Sequence, residues 1–186
     1  MINYEESYMD FSPLFIDGKL GNSVYIEKSN FLAKLGKGVK SVEFITLRPK
    51  SKLYFIEAKT TAPNPATPNN EENTHTYCQD LLDKMQHSLD LFVSREVGIN
   101  IDTDVDFPEC FDKVLLADYE IVFLLIITDH EKEWCSDIQD MLHRKLIALR
   151  KIWKADVIVL TGKQALDNGF ISQIIPKEER KQKIKH

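Results

Sequence analysis

The sequence predicts a mixed α/β (α+β) domain: an antiparallel three-strand meander extended by parallel strands, with helices packed on the sheet. Three observations carry this. Three strand-like stretches, "SVYIEKS", "SVEFITL" and "KLYFIEAKT", follow one another from Ser23 to Thr60 with short breaks. A single long helical stripe comes next. The last third then reads strand, helix, strand, the order of a crossover that joins parallel strands. A chain of 186 residues with 43% apolar content can bury one core, and 28% charged residues without a low-complexity tract is the composition of a folded chain. Residues 1–176 are therefore read as one domain and 177–186, "KEERKQKIKH", as a basic C-terminal tail.

Taken in order, Tyr4, Tyr8, Phe11 and Phe15 recur near helical spacing and predict a short helix within Asn3–Phe15, limited by Pro13. The meander follows, its strands separated by "GKG" and "RPKSK". The Pro/Asn-rich stretch from Thr60 to Thr74 has no periodicity and predicts a long loop. Tyr77, Leu81, Met85, Leu89 and Phe92 make one apolar stripe and predict a helix from about His75 to Val93. "GINIDTDVDF" alternates apolar and acidic residues like an edge segment, and "PECFDKVLLAD" predicts a short helix with Pro108 in its first turn. "EIVFLLIIT" has the length and continuity of a strand buried on both faces. Ile138, Leu142, Leu146, Leu149 and Trp153 predict a helix from Cys135 to Trp153, and "ADVIVLTG" a further buried strand.

Several function classes lose support. The longest apolar run, Ile121 to Ile127, is far too short to cross a bilayer, so no membrane partner is expected. "MINYEESYMD" opens with acids where an export signal needs a basic and then an apolar segment. Cys78, Cys110 and Cys135 are odd in number and lack CxxC spacing, as in a reduced cytoplasmic protein without a zinc site. A net charge of −5 gives no argument for nucleic-acid binding, and the basic runs "HRKLIALRKIWK" and the tail read as solvated faces. "DTDVDF" lacks the glycine and closing glutamate of a calcium loop, the five histidines form no HExxH pair, and there is no GxSxG.

One strand does carry unusual chemistry. "KLYFIEAKT" is apolar, yet Glu57 and Lys59 lie near its end, two apart and so on one face. Charges on a strand this apolar must be compensated. If the hairpin turns through the three residues Pro49, Lys50 and Ser51, Arg48 pairs with Lys52 and Glu43 falls directly opposite Glu57. Opposed carboxylates destabilise a sheet unless a cation lies between them, and Mg²⁺ (or Mn²⁺) takes such oxygen ligands together with waters and phosphate. Lys59 beside that ion would orient water or stabilise charge on a phosphate. The competing reading is a plain surface salt bridge between Glu57 and Lys59, or a cross-strand pair with a nearby base, since acid-x-Lys also occurs at Asp17 and Glu179, about as often as chance gives.

The pattern "KGVKSVEFI…KLYFIEAK", an acid on one strand and acid-x-Lys on the next, resembles the core motif of the PD-(D/E)XK nuclease superfamily. Glutamate stands at position 43 where aspartate is more usual there, and no proline precedes it. The resemblance covers mainly Ser23 to Val93 and implies a restriction-endonuclease-like core. It also implies metal held by Glu43, Glu57 and the Ala58 backbone carbonyl, with Lys59 positioning the attacking water. An extra acid on the first helix would be Glu6 or Glu5, with Glu27 on the first strand as a third candidate, and Gln79 or Lys84 would supply a polar residue from the following helix. The implied activity is metal-dependent hydrolysis of phosphodiester bonds, in DNA before RNA. The alternatives are a catalytically inactive nuclease-fold subunit that binds nucleic acid or assembles with protein, and a protein-binding module using the acidic segment from Asp102 to Asp118. Whether the chain pairs with a second copy of itself stays open.

Overall fold

The computed structural model describes residues 4–15, 22–48, 51–64, 67, 71–99 and 107–183. A five-stranded mixed sheet runs through its centre, built from β3 (Ser23–Tyr25), β4 (Phe44–Arg48), β5 (Lys52–Lys59), β6 (Glu120–Ile127) and β7 (Asp156–Thr161), in that spatial order. β3, β4 and β5 pair antiparallel, and β5, β6 and β7 parallel. This is the expected meander with its parallel extension. β6 sits between β5 and β7 and is buried from Ile121 to Ile127, as a continuous apolar run requires. β7 lies at the sheet's edge and alternates buried with half-buried residues, so it is not the doubly buried strand that its apolar run predicts.

Strand alternation divides the core in two. Ile45, Leu53, Phe55, Phe123 and Leu125 meet Leu81, Met85, Leu89 and Phe92 of helix α2 (Glu71–Glu96), and Ile138 and Leu142 of α3 (Lys132–Lys145). The opposite face, with Phe44, Ile56, Ala58, Leu124 and Ile126, packs on Met9, Phe11, Leu14 and Phe170, and on Ala165 of α5 (Gly162–Asp167). A second, small sheet covers that side: β1 (Glu5–Glu6), β2 (Met9–Asp10) and β8 (Gln173–Ile174), antiparallel throughout.

Five local expectations are corrected. The N-terminal segment is not a helix; β1 and β2 form a hairpin, followed by a 3-10 turn at Ser12–Leu14 that starts beside Pro13. Its two turn residues, Ser7 and Tyr8, both have positive φ, the geometry that matches strand twist in a two-residue hairpin. The first meander strand stops at Tyr25, and a 3-10 turn (Ile26–Lys28) leads into α1 (Asn30–Leu35), capped by the Ser29 hydroxyl accepting from Leu32 N. α2 starts at Glu71, four residues before the predicted start at His75, and so absorbs the end of the predicted loop. "PECFDKVLLAD" forms two 3-10 turns, Glu109–Lys113 and Leu116–Asp118, in place of one helix. The predicted helix from Cys135 to Trp153 is two, α3 and α4 (Ile147–Trp153), meeting at buried Leu146. Of "GINIDTDVDF", positions 100–106 lie outside the described residues.

The first seven residues of the predicted tail form α6 (Lys177–Lys183). Arg180 is buried there, donating to Ile175 O and to Asp129 and lying 4.5 Å over the Tyr8 ring. No helix among the described residues is long and apolar enough to cross a membrane.

Candidate active site

The β4–β5 hairpin has the register its three-residue loop predicts: Arg48 faces Lys52, Ile45 faces Phe55, and Phe44 faces Ile56. One step further, Glu43 stands opposite Glu57. Both side chains share the α2 face of the sheet, in phase with Ile45 and Phe55. Both are buried, Glu57 completely. Strand β4 begins only at Phe44, so the Ala58 N–H that would otherwise lack a strand partner donates to Glu43 Oε2 at 2.7 Å. A strand residue's N–H and C=O share one edge, so the Ala58 carbonyl opens toward Glu43 as well.

Two ammoniums enter this pocket. Lys59 Nζ lies 2.7 Å from Glu57 Oε1, and Lys84 Nζ, from α2, lies 2.8 Å from the same oxygen. Both approach outside good hydrogen-bond angles, and neither buried Glu57 oxygen has an aligned donor. Lys84 also reaches Glu27 at 3.5 Å and Glu43 at 3.8 Å. Burial alone would lower its pKa, but the Glu57 and Glu43 carboxylates reverse that and hold it above the usual lysine value. Glu43 moves the opposite way from an ordinary ion-paired acid. Burial first, and then the Glu57 charge, push its carboxyl well above the usual range, against smaller pulls from Lys84 and the Ala58 N–H.

A second acidic focus adjoins the first. Carboxylate oxygens of Glu6, Glu27 and Glu43 lie within 4.8 Å of one another, close enough to share a cation. Glu6 comes from β1, Glu27 from the turn after β3, and Glu43 from the residue before β4. Glu6 is held at 2.6 Å by Lys28. Glu43 thus belongs to both foci, whereas Glu57 stands outside the triad and faces the lysines.

Of the residues singled out in sequence, Glu43, Glu57, Ala58 and Lys59 are brought together, and Glu6 and Glu27 join them. Glu6 arrives on a strand, not a helix, and Glu5 is not in the triad. Lys84 enters the site; Gln79 does not, its amide donating to Asp83 on the exposed side of α2. The sequence reading placed Tyr77 in the apolar stripe and missed its hydroxyl. Seven residues before Lys84 on α2, that hydroxyl is buried without a hydrogen-bond partner among the described residues, and burial followed by the Glu57 charge raises its pKa. The two-turn spacing to Lys84 is the only sequence signal that points to it. Comparison with family models, curated proteins and solved structures finds no match to this chain.

Proposed function

We propose that this chain is a metal-dependent nuclease with a restriction-endonuclease-like core, hydrolysing phosphodiester bonds in DNA. One observation carries the reading: two buried carboxylates, Glu57 on β5 and Glu43 just before β4, meet beside the Ala58 N–H, with the Lys59 ammonium 2.7 Å from Glu57. Burying charged acids side by side costs several kcal/mol unless a compensating charge is built in. A fold that needed only a core would place hydrocarbon there.

The donor set fits Mg²⁺ or Mn²⁺. It consists of carboxylate oxygens from Glu6, Glu27 and Glu43, with the ion-paired Glu57 carboxylate beside them. Glu43 and Glu57 with the Ala58 carbonyl, or Glu43 with Glu6 and Glu27, would hold the ion. When bound, such a cation polarises a phosphoryl oxygen and lowers the pKa of water at the site. Hydrolysis then forms one bond from water oxygen to phosphorus and breaks the bond to the leaving sugar oxygen, which takes up a proton. Lys59, about a quarter exposed, is the ammonium within reach of both Glu57 and solvent. It donates to a phosphoryl oxygen as charge builds there and orients the attacking water. Glu43 keeps Oε2 on the Ala58 N–H, which leaves Oε1 to the cation, and because burial and the Glu57 charge favour the protonated acid, loading the site competes with that proton.

Double- and single-stranded DNA and RNA incubated with Mg²⁺ or Mn²⁺ test this. DNA is expected to be cut, chelator to stop the reaction, and Lys59→Ala to slow it by about 10²–10³. Intact substrate under every cation would overturn the reading. A second reading, a non-catalytic nucleic-acid-binding subunit, is favoured by Lys84, whose ammonium already compensates Glu57. Its signature is metal-independent binding without cleavage.

A further inference from the structure

A groove of about 400 Å³ opens beside the acidic triad, between the turn after β3 and the loop that leaves α1. Its volume lies within the roughly 300–1,000 Å³ of small-molecule sites. Glu27, a triad member, and Lys28 line it, and Leu32, Ala33 and Val39 supply an apolar floor. Lys37 also lines it, in a loop where Gly36 and Gly38 both take positive φ, a conformation that side-chain-bearing residues resist.

The lysines here differ in their commitments. Lys28 is tied to Glu6, Lys84 to Glu57, and Lys40 to Asp80 and Asp83. Lys37 makes no ion pair with any described residue and is exposed. Its charge is free for a ligand. An anion entering the groove is repelled by Glu27 and attracted to Lys37, while the floor offers hydrocarbon to a flat apolar surface. A phosphate joined to a base and sugar has that division of charge.

Resting on the nuclease reading, we propose that this groove seats the nucleotide next to the scissile phosphate. The phosphate of that nucleotide lies on Lys37 and its base on the Leu32–Val39 floor. Lys28 becomes a second phosphate contact when a cation takes over Glu6. The groove then sets substrate register: the strand lies along α1, and the neighbouring phosphate falls at the triad.

Lys37→Glu and Ala33→Glu test this, both at exposed positions that leave the core intact. Two measurements are made with a single-stranded DNA of about 12 nucleotides: cleavage in Mg²⁺, and fluorescence anisotropy in Ca²⁺. Each variant is expected to weaken binding by about fivefold or more, and Lys37→Glu to flatten the salt dependence by about one phosphate contact. The loss in cleavage should fall on KM more than on kcat. Lys151→Glu, on α4, is the control and should change neither. Cleavage with unaltered KM in both variants would overturn the groove and leave the nuclease reading standing. Binding that depends on Lys37 without any cleavage would overturn the nuclease reading and keep the groove. Absence of both binding and cleavage would overturn both.

Discussion

At the residue scale the site is a problem of buried charge. Glu57 is fully buried, and what compensates it are Lys59, partly in solvent, and Lys84, almost wholly enclosed. Removing one partner of a buried pair strands the other, at about 3 kcal/mol or more. Lys84→Met should therefore lower stability by about 3 kcal/mol in urea at neutral pH. The same variant should gain more from added Mg²⁺ than wild type, because the cation replaces the missing ammonium; equal gains would show that Lys84 and the ion do not share a position. Glu43 makes a prediction in pH. Its raised pKa means that the fold favours the protonated acid, so its stabilisation is complete below the ordinary 4.5 and is lost as pH rises through the raised value. Glutamine at 43 can keep the acceptor for Ala58 N–H and mimics the protonated form. Without metal, Glu43→Gln should thus gain on wild type with rising pH, by up to about 1.4 kcal/mol per pH unit, while binding Mg²⁺ more weakly. Parallel urea titrations from acid to neutral pH read the gap, and a gap that stays constant sinks the assignment.

At the element scale the site depends on how α2 is fastened to the start of β4. Val42 N–H, just before Glu43, donates to the Ser88 hydroxyl on α2 at 2.9 Å, and both residues are buried. Ser88→Ala strands that N–H and should cost about 1–3 kcal/mol. It should also weaken Mg²⁺ binding, since Glu43 loses its anchor; a stability loss with unchanged affinity would confine Ser88 to a structural part. The elements also mark what the sequence makes legible. The β4–β5 register was readable because one odd loop length collects Glu43 and Glu57 on a single face while keeping Ile45 on Phe55. β6 was readable from its unbroken apolar run. The β1–β2 hairpin was not: its turn is Ser7-Tyr8, where the usual Asn-Gly or Asp-Gly signal is absent, and the aromatic spacing mimics a helix. Its strands are fixed by β8, more than 160 residues later in the chain, which no local pattern announces. The Tyr77 hydroxyl was hidden for a related reason, and Lys84 could be named only as an alternative to Gln79. A helix stripe shows which residues face the sheet, but not that a buried carboxylate waits there.

At the scale of the whole molecule, the acidic triad is assembled across the chain, and one member hangs on its far end. Glu6 is on β1, β1 pairs with β2, and β2 with β8, directly before α6. Arg180 of α6 clamps this layer to the central sheet. It donates to Asp129 after β6, closes on Ile175 O, and lies over Tyr8 in the turn that follows Glu6. Thr128 adds a bond from its hydroxyl to Ser7 O at 2.5 Å, so the hairpin turn is gripped on both sides. Arg180→Ala removes charge-assisted hydrogen bonds and leaves half-buried Asp129, among the described residues, with the distant Lys177 at 3.9 Å as its cation. The expected loss is about 2–3 kcal/mol. Because Glu6 would lose its fixed position, Mg²⁺ affinity should fall as well, although Arg180 touches none of the three acids. Calorimetric Mg²⁺ titration of the folded variant, below its melting temperature, separates the two effects. Unchanged affinity would mean that Glu6 is dispensable, and that the ion is held by Glu43, Glu57 and the Ala58 carbonyl alone.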